Sequence, residues 1–238
     1  MGETKLTFKR YEKKYLLSQE QYLALRQQLD EHIRPDTYFQ STVCSVYYDS
    51  DDYQLIRRSI EGPVYKEKLR VRSYGKAGAK DDVFVELKKK YNSVVYKRRL
   101  VMPQQQALEA MLGRAPMPDT QIGREIEAAL HFYQELIPRV FLSYERDSYH
   151  ALDSDFRLTF DDAIRYRTEE LTLNSEPWGH PLLDSDMVLM ELKIPDSMPL
   201  WMAALLSRMG IQKTSFSKYG TAYAQLMFGT QKGALRYA

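Results

Sequence analysis

Residues 66–100 read K-E-K-L-R-V-R-S-Y (Lys66–Tyr74), G-K-A-G-A-K-D-D (Gly75–Asp82), V-F-V-E-L-K-K-K-Y (Val83–Tyr91) and, after Asn92-Ser93, V-V-Y-K-R-R-L (Val94–Leu100). Charges alternate with β-branched and aromatic residues at period two, and Gly-rich and Asn-Ser turns interrupt the alternation, so the stretch reads as three successive strands. Residues i and i+2 of a strand share a face. Lys66, Lys68, Arg70 and Arg72 therefore stand on one face with Leu69 and Val71 behind them, and Glu86, Lys88 and Lys90 stand opposite Val83, Val85 and Leu87. On the third strand the inward residues are Lys97 and Arg99 or, in the other register, Arg98.

The same alternation recurs along the chain. Arg10, Glu12 and Lys14 share a face of a first strand over residues 5–15, and Ser18 with Gln21 forms a capping box ahead of a helix over 19–31. A second strand is predicted over 42–49, after Pro35 ends the preceding region, and then a short helix capped by Asp51 or Asp52 and closed by Gly62-Pro63. Tyr144 and Arg146 share a strand face, as do Arg157, Thr159 and Asp161, and as do Glu191 and Lys193. Residues 168–183, with Pro177, Gly179 and Pro181, read as a surface excursion, and a last helix is capped by Ser217 and stopped at Gly229. About eight strands and five or six helices result, with no Gly-, Ser- or Pro-rich linker between them. The expectation is one domain over 1–238, its core about 5–228 and a tail at 230–238.

If helices cover the apolar faces, the charged faces turn inward. Buried charge survives only when paired or bound to a counter-ion. Basic residues outnumber acidic ones on these faces, so the natural complement is an anion of high charge density, for which guanidinium forks suit phosphate oxygens. Among the carboxylates, Glu191, flanked by V-L-M and I-P, is the best candidate for holding Mn²⁺ or Mg²⁺, while Glu12 and Glu86 either join it or pair with neighbouring lysines. Ser217-Lys218 opens a helix, where backbone amides and the lysine would both favour a phosphate.

Composition narrows the alternatives. The chain has 238 residues, 34 Lys and Arg against 32 Asp and Glu, and a net charge of +2, which excludes a general nucleic-acid coat. No apolar run is long enough for a membrane helix, so a cytoplasmic protein with no membrane segment of its own is expected. There is no G-x-x-x-x-G-K-[ST] and no G-x-G-x-x-G. His32, His131, His150 and His180 are scattered without ligand spacing, and the lone Cys44 sits in an apolar run.

The motifs R-Y-E-K-K-Y, K-L-R-V-R, V-E-L-K-K, Y-K-R-R, S-Y-E-R, L-T-F-D, M-E-L-K and S-F-S-K-Y-G occur in an order that resembles the VTC-type polyphosphate polymerase domain, a triphosphate tunnel metalloenzyme related to the CYTH phosphatases. The resemblance implies an α+β fold: an antiparallel eight-stranded tunnel barrel with a charged interior, flanked by helices. It implies transfer of the terminal phosphoryl group of ATP onto inorganic polyphosphate. Lys14, Arg70, Arg72, Lys88, Arg146 and Glu191 would form the catalytic set, with Glu191 and Glu12 holding the metal. Arg10, Lys68, Lys90, Lys97, Arg98, Tyr144, Lys193, Ser217 and Lys218 would contact phosphate or nucleotide. Where CYTH phosphatases begin Glu-x-Glu-x-Lys, this chain has Arg10-x-Glu12-x-Lys14, which weakens a triphosphatase reading but leaves it as the alternative, beside a non-catalytic polyphosphate-binding module. The family's membrane helices and inositol-phosphate sensing domain have no counterpart in the sequence, so any membrane anchor or regulator would be a separate partner.

Overall fold

A computed structural model describes residues 11–92, 94–195 and 197–229; Arg10 and the expected tail lie outside the described residues. In chain order the elements are β1 (Tyr11–Ser18), α1 (Gln19–Leu29), β2 (Ile33–Asp49), α2 (Gln54–Glu61), β3 (Tyr65–Tyr74), β4 (Asp82–Tyr91) and β5 (Val94–Pro103). There follow α3 (Gln104–Met111), α4 (Gln121–Tyr133), β6 (Ile137–Ala151), β7 (Arg157–Arg167), β8 (His180–Pro181), β9 (Met187–Ile194), α5 (Leu200–Arg208) and α6 (Lys218–Phe228). Eight long strands form one antiparallel sheet in the order β1-β9-β7-β6-β2-β3-β4-β5, and the two-residue β8 pairs with β7 as a ninth. The α+β class and the tunnel-like curvature agree with expectation. Closure does not: among the described residues no ladder joins β1 to β5.

Several boundaries follow from local chemistry. The Ser18 side chain accepts from Gln21 N at 3.2 Å while the Gln21 side chain accepts from Ser18 N at 3.1 Å, completing the capping box. Ser217 Oγ likewise accepts from Gly220 N at 3.1 Å. The α2 cap was expected at Asp51 or Asp52. It comes instead from Asp49, whose carboxylate accepts from Leu55 N at 2.8 Å and Ile56 N at 3.0 Å, with Ser50 Oγ accepting from Gln54 N at 2.8 Å. Tyr53 lies between them in the left-handed region (φ 60°), a turn that lets a carboxylate six residues back reach the helix. β2 starts nine residues earlier than predicted. Pro35 does not end it but sits opposite Tyr149, and the register shift between Pro35 and Gln40 absorbs the missing amide donor.

Three apolar clusters hold the sheet. α3 and α4 cover the outer face of β2–β5 through Leu69, Val85, Leu87, Ala107, Met111 and Ile126. α1 and α5 cover the outer face of β1, β7 and β9 through Leu17, Leu25, Leu29, Leu158, Met190 and Met202. The third cluster lies on the inner face, where Ile56 of α2 and Tyr219 and Ala222 of α6 pack on Val43, Leu142, Ile164 and Leu189. The expected purely ionic interior is thus corrected: part of it is an apolar plug. The change of character happens along single strands, two residues apart on one face, at Lys14–Leu16, Tyr144–Leu142 and Glu191–Leu189.

Residues 168–183 are also not a mere surface excursion. They wrap Arg167, which is buried and sandwiched between the rings of Phe141 (3.5 Å) and Trp178 (4.8 Å). Its guanidinium donates to the carbonyls of Glu169, Glu170 and Trp178 and to Ser175 Oγ at 2.6–3.2 Å. No helix among the described residues is long and apolar enough to cross a membrane.

Candidate active site

The inner face of the sheet and the start of α6 enclose a cavity of about 270 Å³. Among the described residues nine basic side chains line it, namely Lys14, Lys68, Arg70, Arg72, Lys88, Lys97, Arg146, Lys193 and Lys218, against the carboxylates Glu12 and Glu191. Register explains the convergence. Lys88 lies opposite Lys68 and Lys97, Arg70 opposite Glu86, Lys14 opposite Glu191 and Arg146 opposite Asp161. Asp161 reaches this face by simple alternation with Thr159, which stands opposite Glu191; the bulge at Ala163 (φ 45°), where the β6–β7 register shifts, is what lets Ile164, three residues on, turn inward as well.

Two buried carboxyl centres organise the cations. Glu86, 1% exposed, receives Arg70 at 2.6 Å, Lys97 at 2.6 Å and Arg99 at 2.5 Å. Burial alone would raise its pKa, but Arg70, Arg72, Lys97 and Arg99 hold it well below the carboxylate range. Asp161, fully buried, takes a bidentate fork from Arg146 (2.5 and 2.6 Å) and a contact from Lys218 (2.5 Å). Glu191 then receives Lys14 (3.2 Å), Lys218 (3.1 Å) and Arg146 (3.2 Å), which outweigh its desolvation and keep it ionised. Aromatic walls complete the arrangement. Tyr144 lies under Lys218 (4.4 Å) and Arg146 (5.0 Å) and accepts from Arg72 at 3.2 Å, and Tyr47 accepts from Arg70 at 2.7 Å.

These partners do not balance the positive charge. Among the described residues Lys68 meets only a hydroxyl, Ser217 Oγ at 2.8 Å; burial and the neighbouring Lys88 and Lys14 push its pKa well down. Burial and Arg146 bring Lys193 to about 8. Lys97 falls to about 7, chiefly by burial, with Arg70 and Arg99 opposing the help of Glu86; its side chain still keeps 40% exposure along the wall. Glu12 pairs here with Lys88 and Lys14, which lower its pKa to about 2 against desolvation. Depressed lysines crowded beside one another are a site short of anion.

Of the residues expected from sequence, Lys14, Lys68, Arg70, Arg72, Lys88, Lys97, Tyr144, Arg146, Lys193, Ser217, Lys218, Glu12 and Glu191 all line this cavity. Arg10 is outside the described residues. Lys90 stands at the outer mouth, not in the inner cavity. Arg98 is a correction: with Glu86 opposite Arg99 and Lys88 opposite Lys97, Arg98 faces outward and bonds Glu125 of α4 at 3.0 Å. Tyr47 escaped the sequence reading, because nothing in V-Y-Y-D distinguishes Tyr47 from Tyr48; only its register opposite Arg70 does.

Among the described residues no group of three or more His, Cys, Asp or Glu side chains converges as a cation cage. Glu12 (3.5 Å) and Glu191 (3.2 Å) do converge on one point, which the Lys14 ammonium fills. That oxygen-only pair fits a hard divalent ion whose remaining ligands are phosphate oxygens and water, the usual Mg²⁺ arrangement.

A model of the VTC domain family matches residues 9–227. A candidate adenylate cyclase from Bacillus halodurans superposes with a TM-score of 0.57 at 16% identity, covering 89% of this chain and 95% of that one. A candidate adenylate cyclase from Vibrio parahaemolyticus gives 0.49 at 11% identity, over 91% and 98% of the two chains. No curated protein matches the chain.

Proposed function

The chain belongs to the VTC domain family, and on that premise we propose that it is a polyphosphate polymerase. It would transfer the terminal phosphoryl group of a nucleoside triphosphate, ATP in the first instance, to inorganic polyphosphate. The observation that carries this reading is the cavity itself: among the described residues, nine basic side chains, two of its lysines brought to about 7 and about 8, and four carboxylates in and behind its wall. A chain of phosphates supplies the missing negative charge along the whole wall, whereas a lone carboxylate or amide would not.

In this mechanism Arg70, Arg72 and Lys97, pre-set by Glu86, hold one stretch of phosphate oxygens, and Arg146 and Lys218, pre-set by Asp161, hold the next. Because the acidic residues behind them fix these donors, little reorganisation accompanies charge migration in the transition state. Lys68 and Ser217, with the amides that open α6, take a further phosphate. A terminal oxygen of the polymer attacks the γ-phosphorus in line, the bond to the β-bridging oxygen breaks, and the nucleoside diphosphate leaves with that electron pair. The attacking oxygen is already ionised at neutral pH, so no general base is required, in keeping with four histidines of which none lines the cavity. Glu191 and Glu12 would hold a Mn²⁺ or Mg²⁺ ion, which when bound supplies Lewis-acid neutralisation of phosphate oxygens.

The experiment is incubation of the purified protein with ATP and Mn²⁺, with products resolved on a polyacrylamide gel stained for polyphosphate and free phosphate assayed in parallel. A ladder with matching ADP is the expected result. Free phosphate without a ladder would replace the polymerase by a triphosphatase. Neither product, with polyphosphate still bound, would leave a binding module.

A further inference from the structure

The cavity opens at one end into a second, wider space of about 810 Å³ that shares Tyr11, Glu12, Lys14, Lys68, Lys88, Val95 and Ser217 with it. This vestibule adds lysines at its rim from four separate elements: Lys13 of β1, Lys66 of β3, Lys90 of β4 and Lys213 of the segment before α6. Its carboxylates are already committed. Glu12 is held by Lys88 and Lys14, while Glu67 is held by the hydroxyls of Tyr65 and Tyr133 and by Lys89. Among the described residues none of the four rim lysines has a carboxylate within ion-pair distance. Lys66 instead donates to the carbonyl of Ser59 at 2.9 Å in the last turn of α2, and burial together with Lys90 and Lys88 lowers its pKa. The segment Lys213–Ser217 adds the hydroxyls of Thr214 and Ser217, and its backbone is pinned to β1 where Thr214 N donates to the Lys14 carbonyl at 2.8 Å.

From this geometry we infer that the vestibule is a second polyanion subsite, outside the transfer centre. It holds the length of polyphosphate that has already left, or has not yet entered, the inner cavity. The inference rests on the polymerase reading and adds to it: the inner cavity aligns the reacting phosphates, and the vestibule retains the chain between transfers and so sets product length. The four rim ammonium groups, set on separate elements, suit a run of phosphates better than a single nucleoside, although Tyr11 and Phe216 also line this space and the test below includes the nucleotide as an occupant.

The test compares the wild-type protein with the Lys66→Gln/Lys213→Gln variant, both substituted residues standing outside the inner cavity. Equilibrium binding is measured first without nucleotide, using long-chain polyphosphate and tripolyphosphate as probes over a salt series. Affinity for the long chain is expected to fall about tenfold with a shallower salt dependence, since each phosphate-neutralising lysine contributes through counterion release. Affinity for tripolyphosphate, which fits within the inner cavity, is expected to stay within about twofold. In the ATP reaction the variant should yield shorter chains at an unchanged initial rate of ADP release.

Equal weakening for both probes, or for neither, overturns the subsite. So does a raised KM for ATP with unchanged product length, which would assign this mouth to the nucleotide. Selective loss of long-chain binding in a protein that makes no ladder would sink the polymerase reading and leave the subsite standing. A normal ladder indifferent to the substitutions would do the reverse.

Discussion

Arg167, fully buried, and Lys68, half-buried in the cavity wall, are both cations drawn away from bulk water, and their surroundings are opposite. Arg167 has its guanidinium hydrogens accepted by carbonyls and a hydroxyl of its own loop and its faces covered by Phe141 and Trp178. Lys68 has one hydroxyl, Ser217, and four basic neighbours that raise the cost of its charge. The first cation is complete without a ligand, so its role is to organise residues 168–178. The second is incomplete, and among the described residues Lys193 shares its want of an ion-pair partner, whereas Lys97 has Glu86 at 2.6 Å and is depressed by its crowding with Arg70 and Arg99 as well as by burial. Burial of charge is thus not by itself a sign of function; the sign is burial without acceptors.

The sharpest way to break this contrast is Glu191→Gln. The carboxylate joins Lys14, Lys218 and Arg146, so its neutralisation should lower phosphoryl-transfer turnover at least about a hundredfold, the scale of losing one preorganised electrostatic partner. Polyphosphate binding should be kept or tightened, because the cavity becomes more positive. Turnover with ATP and a binding isotherm on the same preparation check it, and unchanged turnover would remove Glu191 from the chemistry.

Arg167→Met should do the opposite. Its loop carbonyls would lose their donors, at a cost of about 3 kcal/mol of stability, while catalysis per folded molecule stays within about twofold. A denaturant midpoint with an unchanged m-value, measured beside activity, separates the two effects. A selective loss of activity would mean that this loop touches the site.

The smallest effect is on pH dependence. Unfolded lysines titrate near 10.4, whereas Lys193 and Lys97 in the folded chain titrate near 8 and near 7. Between these limits the unfolded state binds more protons than the native state, so stability of the ligand-free protein should rise as pH goes from about 7 to about 10. A bound phosphate chain restores the protonated lysines and should flatten this rise. Its binding should take up protons near pH 8, and polyphosphate affinity should fall as pH increases. Thermal melts across that range and calorimetry in two buffers of different ionisation heat would check it. Proton release on binding would contradict the assignment.

The strand faces of residues 66–99 and the caps at Ser18 and Ser217 were legible because each depends on spacings of two or three residues. So was most of the cavity lining, since alternation places Lys14, Arg70, Arg72, Lys88, Arg146 and Glu191 on the faces they occupy. The misread features are those in which a distant partner decides. Asp49 caps α2 from six residues away, Pro35 continues a strand opposite Tyr149, and Arg167 gathers a loop that composition alone marks as exposed.

From its sequence alone the chain determined that one face of each strand would be charged and the other apolar, because side-chain direction follows from the two-residue period of the backbone. Tertiary structure decided what those faces became. Register chose Lys97 and Arg99 over Arg98 and set Asp161 opposite Arg146, and the bulge at Ala163 turned Ile164 to the same inner face. α6 filled one part of the interior with apolar side chains and left the other to the lysines. Which charges find partners, and which are left wanting an anion, is a property of distances across the sheet, and those are set by how the strands pair.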